Sequence, residues 1–317
     1  MNRTRLFAGV VLVAATALVP LARVPAGAAD QPVTIRVGAT GNDAAAEVYY
    51  ADEMGFFKKH NLNIQITPQR NGAAEAAAVA GGSLDIGEQN VISMSNAHAR
   101  SLPFVFIAPA AEYVDGSPST AMIVAKDAAF KTARDLNGKT IAVSALHDLT
   151  QTAAAAWIDK NGGDSSTVHF IEMPPSESPA AVVRGTVQAA VVPEPALSSA
   201  GNETRIFAKA FSAIAPQFMI NGWFSTKDWI AKNQSAAKRF TDAIHEAAVW
   251  ANSHHAESAK ILEKHSRIPA SVIEHMTRAT YAISFDGNAM QRAIDTAAHY
   301  KAIAKPFPAS EIYLGSL

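Results

Sequence analysis

The chain has 317 residues, 49% of them apolar, with 27 basic against 28 acidic side chains and no cysteine. A balance this close to neutral argues against a nucleic-acid partner, which demands a basic face, and the lack of cysteine excludes both a disulfide framework and a lipid-attachment cysteine. The length allows one large core or two ordinary ones, and the usual size of compact domains favours two.

Arg3 and Arg5 precede an apolar run from Leu6 to Leu21, and Ala26, Gly27, Ala28 and Ala29 place small residues just before Asp30. This reads as a secretory signal peptide, residues 1–29, cut after Ala28 or Ala29; an uncleaved membrane anchor is the competing reading. No later stretch is apolar for long enough to span a bilayer. Cleavage removes Arg3, Arg5 and Arg23, leaving 24 basic against 28 acidic residues and a mature protein free in a periplasm-like space.

Val33 to Ala39 alternates branched apolar residues with Thr34 and Arg36, which predicts a first strand. It delivers Thr40, Gly41, Asn42 and Asp43 to a helix from about Ala44 to Glu53, with Asn42 or Asp43 as the cap. Gly55 breaks that helix, Phe56 and Phe57 pack beneath it, and Leu62 to Thr67 is a second strand. Asn71 to Asn90 (NGAAEAAAVAGGSLDIGEQN) begins as a short helix with an asparagine cap and a Gly-Gly stop. Ser83 to Ile86 then reads as a brief strand, and Gly87, Glu88, Gln89 and Asn90 sit beyond its carboxyl end, where open α/β sheets bind ligands. Val91 to Arg100 follows as a helix and Pro103 to Ala108 as a buried strand.

Ala110 to Ser119 has little periodicity and reads as a first crossing into a second lobe. Thr120 to Ala125 and Lys139 to Val143 are strands, the latter ending in a polar loop from Ser144 to Gln151 before a helix to Lys160. After a strand at Val168 to Ile171, Pro179 to Val192 repeats the earlier helix, glycine and strand pattern and ends at Pro193, Glu194 and Pro195. This alternation implies a largely parallel sheet. Thr204 to Ala208 and Gln217 to Phe224 are strands, the latter crossing back, and from Thr226 the pattern is helical, covering one lobe's face.

The polar loops lie between strand ends and helix starts, where outward-facing amides carry about half a positive charge. The candidate ligand residues are therefore Thr40, Asn42, Asp43, Asn71, Gln89, Asn90, Ser144, His147, Asp148, Thr150 and Glu194, with Trp223 as an aromatic wall. Asn42, Asn71 and Ser144 have a second reading as plain helix caps, Trp223 as core, and Glu194 as a surface or helix-terminus charge. Asp43, Glu88, Asp148 and Glu194 fall near loop mouths while no Lys or Arg does. Should they face a shared cleft, a simple strong anion is disfavoured and a ligand with amide, amine or ring nitrogens favoured.

Ser144, His147 and Asp148 invite a hydrolase reading, but three residues on one turn do not meet the geometry of a triad, so no catalytic residue is assigned. His254, His255, His265 and His275 read as helix surface rather than metal ligands, and neither metal nor cofactor is expected.

Together, Ala51 to Leu62 (ADEMGFFKKHNL), Gly81 to Gly87 (GGSLDIG), Asp135 to Ala145 (DLNGKTIAVSA) and Gly185 to Pro195 (GTVQAAVVPEP) resemble the nitrate, sulfonate and thiamine-pyrimidine-precursor branch of solute-binding proteins serving ATP-binding-cassette importers. The resemblance covers most of the mature chain, with Gln188 where the family often has Asp. It implies a type II periplasmic-binding-protein fold: two α/β lobes joined by two crossings, with a ligand cleft between them. One lobe would take residues 30–110 and 217–317 and the other 111–216. It also implies a monomer without enzymatic activity that carries a small polar organic solute (sulfonate, nitrate, pyrimidine or aromatic) to an ABC permease of the inner membrane. Two relatives on the same fold offer rival readings, a pyrimidine-precursor synthase and a ligand-sensing receptor subunit. The synthase depends on a cysteine-rich motif that this chain lacks.

Overall fold

The first strand, β1 (Val33–Thr40), shows why the chain starts a sheet here: Ile35, Val37 and Ala39 turn inward while Thr34 and Arg36 turn outward. In the computed structural model, which describes Met1 and residues 31–315, Pro32 onward forms one compact unit. The signal-peptide reading falls on residues 1–29, of which all but Met1 lie outside the described residues. No helix among the described residues is long and apolar enough to cross a membrane.

β1 pairs in parallel with β2 (Leu62–Gln69). A bridge between Val37 and Ile86 leads to β3 (Gly87–Asn90), which lies with β4 (Phe104–Pro109) on either side of β12 (Asn221–Thr226). These strands form one lobe, on a core that includes Tyr50, Phe57, Trp223 and Phe240. The second lobe has the strand order β10-β6-β9-β7-β8, from β6 (Thr120–Ala125), β7 (Thr140–Val143), β8 (His169–Glu172), β9 (Ala189–Pro193) and β10 (Thr204–Ala208). The expectation of a largely parallel sheet holds only for β7 with β8 and β9; β6 and β10 pair antiparallel. Those two strands enter from and leave toward the crossings, so no helical crossover forces them parallel.

The crossings themselves are strands. β5 (Ala111–Val114) and β11 (Gln217–Met219) pair antiparallel, with Phe218 opposite Tyr113, and β13 (Thr280–Tyr281) flanks β5 on its other edge. The single returning strand expected over Gln217 to Phe224 is thus two, divided at Ile220, whose amide donates to the Ala111 carbonyl at 2.8 Å. Another difference concerns Gly87 to Gln89, expected as a loop beyond a strand. They are the strand, because each pairs with β12, and antiparallel pairing supplies backbone partners whatever the side chains.

The C-terminal helices also differ from expectation. Gln234–Ala251 covers Glu47–Glu53 and Phe56–Lys59 in the first lobe, whereas Gly287–His299 packs on Val91–Ala99, Leu149–Lys160 and β11, touching both lobes. Its apolar stripe of Met290, Ala293, Ile294 and Ala297 is buried.

Gly222 stands at the start of β12, where an added Cβ would lie 2.7 Å from the Phe106 ring and 3.2 Å from the Ala108 carbonyl oxygen. Phe106 is fully buried and has nowhere to move. Gly222→Ala should therefore cost about 1–3 kcal/mol, read as a lower urea midpoint with an unchanged m-value.

Candidate functional site

Four chain reversals converge between the lobes. After β1, Asn42 accepts from the Ala45 amide at 3.2 Å and donates to Thr40 Oγ1 at 2.9 Å, fixing the loop before Glu47–Glu53. At the end of β3, Asn90 Oδ1 accepts from the amides of Ile92 and Ser93 at 3.0 and 2.8 Å, capping Val91–Ala99. After β7, the Ser144 amide donates to Thr150 Oγ1 at 3.1 Å, closing the loop before Leu149–Lys160. After β9, Glu194 accepts from the amide and hydroxyl of Ser198 at 3.0 and 2.9 Å.

Together they enclose a cavity of about 200 Å³. One side contributes Asn42, Asp43, Asn90, Asn221, Thr277 and Ala279; the other contributes Ser119, Thr120, Ser144, Asp148, Thr150 and Glu194. Phe211 and Ile220 add apolar surface. Hydrogen bonds cross the gap. Asn90 Nδ2 and Ser93 Oγ donate to Asp148 at 2.9 and 3.2 Å, Asn96 Nδ2 donates to the His147 carbonyl at 3.2 Å, and the Thr277 amide donates to Glu194 at 3.1 Å.

Of the residues singled out from sequence, Asn42, Asp43, Asn90, Ser144, Asp148, Thr150 and Glu194 share this cavity. Five do not line it. Thr40 acts behind Asn42 as its hydrogen-bond acceptor. Asn71 is exposed and only caps Gly72–Ala80, accepting from the Ala74 amide at 3.0 Å. Gln89 points to the opposite face of β3 from Asn90 and is buried, its amide 3.6 Å from Met94 Sδ. His147 has a left-handed φ of 57° and lines a separate surface pocket with Gln151 and Tyr300. Trp223 is fully buried, T-stacked on Phe240, and its indole N–H donates to Glu47 at 2.9 Å. The aromatic surface of the cavity comes from Phe211 instead. His147 makes no hydrogen bond through its ring to Ser144 or Asp148, so the three residues form no triad.

Ser119, Thr120 and Asn221 were not expected at the site. They escape a search at the carboxyl ends of strands because β6 and β12 run antiparallel to their neighbours and present their beginnings to the cavity. Thr277 and Ala279 come from a segment that reads as a helix from Ala270 to Arg278 but is helical only over Ala270–Ile273.

Charge at the site is uneven. Asp43 is bound at both oxygens: Arg278 Nε and an Nη donate at 2.8 and 3.0 Å, the Ala279 amide at 2.7 Å, and Tyr50 at 3.1 Å. Burial disfavours the Arg278 charge, but the Asp43 carboxylate outweighs it and raises the guanidinium's affinity for its proton. That cation is therefore committed to Asp43, and no Lys or Arg lines the cavity. Asp148 has only neutral donors, and burial pushes its carboxyl up, opposed by those hydrogen bonds.

Beneath the cavity lie Glu47, Glu75 and Glu88, all buried, each with one carboxyl oxygen lacking any partner. Burial drives Glu47 well above the usual carboxylate range, against the Trp223 hydrogen bond. It pushes Glu75 up to about 8, against the Glu88 amide. Burial raises Glu88 well above its ordinary value too, helped by the charges of Glu75 and Glu47. The expectation that Glu88 sits at a loop mouth is thus corrected: its strand is paired, and its side chain points into the interior.

Two α/β lobes joined by paired crossings with a cavity between them define the periplasmic-binding-protein fold, and solved structures share it. The aliphatic sulphonate binding protein SsuA from Escherichia coli superposes with a TM-score of 0.75 at 18% identity, over 90% of this chain and 93% of that one. The alkanesulfonate-binding protein SsuA from Xanthomonas axonopodis pv. citri, bound to MOPS, gives 0.73 at 18% identity over 90% and 99%. The nitrate-binding protein NrtA from Synechocystis PCC 6803 gives 0.73 at 15% identity over 88% and 84%. No curated protein sequence gives a match. The profile of the NMT1/THI5-like family matches residues 42–258, and the chain belongs to that family.

Two outcomes follow from the charges. Arg278→Met strands Asp43 as an unpaired buried carboxylate and should cost about 3 kcal/mol in urea unfolding. A carboxyl whose pKa is raised by folding holds its stabilising contribution below its ordinary value of about 4.5 and loses it as pH rises through about 8. The melting temperature should accordingly fall across that window, and Glu75→Gln should make the fall shallower; an unchanged slope would show that Glu75 is already ionised in the fold.

Proposed function

We propose that the protein is the periplasmic solute-binding component of an ABC importer, secreted through its N-terminal signal and delivering a small polar organic solute to the permease of the inner membrane. The lobes divide at the paired crossings, residues 30–110 and 217–317 against 111–216, and close about β5 and β11 when a ligand bridges them. Asn42, Asn90, Ser144, Asp148, Thr150 and Glu194 hold the ligand. The protein acts as a monomer and binds without turnover, because the cavity residues supply hydrogen bonds but no nucleophile paired with a base.

The observation that carries this reading is the cavity between the lobes, with carboxylates from Asp148 and Glu194 and no cationic side chain among its lining residues. Such a wall favours N–H groups and disfavours a compact strong anion, for which each carboxylate is a repulsive neighbour. The sulphonate and nitrate specificities of the structural neighbours are not expected to carry over unchanged. A volume of about 200 Å³ suits a one-ring solute. An aminopyrimidine should bind at least about tenfold more tightly than an alkanesulfonate by calorimetry, and raise the melting temperature by mass action. A clear preference for the sulfonate would overturn the assignment of ligand class.

A further inference from the structure

The seam between Leu149–Lys160 and the end of Gly287–His299 holds a second cavity, of about 310 Å³, with a chemistry opposite to that of the cleft. Among the described residues no Asp or Glu lines it, while His147, His299 and Lys301 do. Their side chains are uncommitted. His147 is hydrogen-bonded through its backbone alone, Lys301 through its amide, and the His299 ring meets the Tyr300 ring edge to face at 4.7 Å. An imidazole has a ring N–H to give in either protonation state, and an ammonium only donates.

Thr152 lines the same cavity, is buried, and its hydroxyl has no hydrogen-bond partner. A threonine inside a helix can return its hydroxyl to the carbonyl one turn back, but the Asp148 carbonyl takes the Thr152 amide, at 2.9 Å, and not the hydroxyl. Buried donors without acceptors are rare, and the cavity is the side from which an acceptor can come. The other wall hydroxyls are spent: Ser165 and Ser166 donate to Asp159 at 2.9 Å and to Asp164 at 2.6 Å. Gln151 Oε1 accepts from the His147 amide at 2.7 Å, which leaves its Nε2 as a further donor.

The position of Lys301 is itself unusual. It stands where a helix that ends by a left-handed turn normally carries glycine: its φ is 57°, its amide donates to the Ala298 carbonyl at 3.1 Å, and the Ala302 amide donates to the Ala297 carbonyl at 2.8 Å. A cation near a helix C-terminus is ordinary, but it can sit one turn earlier without strain. His147, also on this wall, has the same left-handed φ. Strain of this kind persists where a side chain has a use.

We propose that the seam is a second binding site, for a small organic anion with two or more carboxylates, held by Lys301, His147, His299 and Thr152. The donors come from separate segments of the chain, so an anion with several carboxylates can meet more than one of them, and a bare phosphate would leave much of the volume unfilled. Bound there, it ties Leu149–Lys160 to the turn that follows Gly287–His299. The site is separate from the cleft and does not depend on the cleft's ligand.

The test titrates citrate into the full-length mature protein at pH 7 and constant ionic strength, followed by NMR of the histidine rings, with acetate as the monovalent control. Citrate should move the His147 and His299 signals with a Kd below about 1 mM and raise the melting temperature, and acetate should do neither. Lys301→Gly relieves the left-handed residue and should melt no lower than the wild type, so that its expected loss of at least about tenfold in citrate affinity is not a loss of fold. Thr152→Val keeps the shape and should weaken citrate at least about threefold. Ring signals that respond equally to acetate, or undiminished citrate affinity in either variant, would overturn the proposal.

Discussion

The bond network around Asp43 is what the rest of the site depends on. One carboxylate gathers Arg278, the Ala279 amide, Tyr50 and Tyr281, joining the loop after the first strand to a segment more than two hundred residues later. Tyr281 belongs to β13, which is laced to the crossing strand β5. The wall made by Asn42, Asp43, Thr277 and Ala279 is therefore fastened directly to the crossing strands. The same pairing occupies the Arg278 guanidinium, and among the residues that line the cavity Asp148 and Glu194 are left to set its charge.

Residues that the fold buries without counter-charges are kept at a cost, and here they lie directly behind the site. An interior built for stability alone would fill the space of Glu47, Glu75 and Glu88 with apolar side chains, each of which would remove a partnerless oxygen.

Much of this was legible in the sequence because it rests on local chemistry. Asn42 and Asn71 announce themselves as caps at helix starts, and the alternation in Val33 to Ala39 is that of a half-buried strand. What was not legible depends on partners distant in the chain. Trp223 follows a polar pair and reads equally as wall or core; only the position of Glu47, 176 residues away, decides that its indole points inward. Gln89 and Asn90 are neighbours with the same chemistry, and the pleat of a strand paired with β12 sends them to opposite faces. Thr120 and Asn221 are hidden by direction, because strand polarity is a property of the sheet rather than of the segment. Arg278 carries no local sign of its role at all.

The helix Gly287–His299, laid across Val91–Ala99, Leu149–Lys160 and β11, makes the two halves unequal in their freedom. Asn90 and Asp148 stand at the first turns of two helices gripped from behind by that third one, which holds their contact in place. Glu194 and Thr277 meet on segments the third helix does not touch. The contact between Asn90 and Asp148 is thus braced by a third element, whereas the meeting of Glu194 with the Thr277 amide relies on its own two segments.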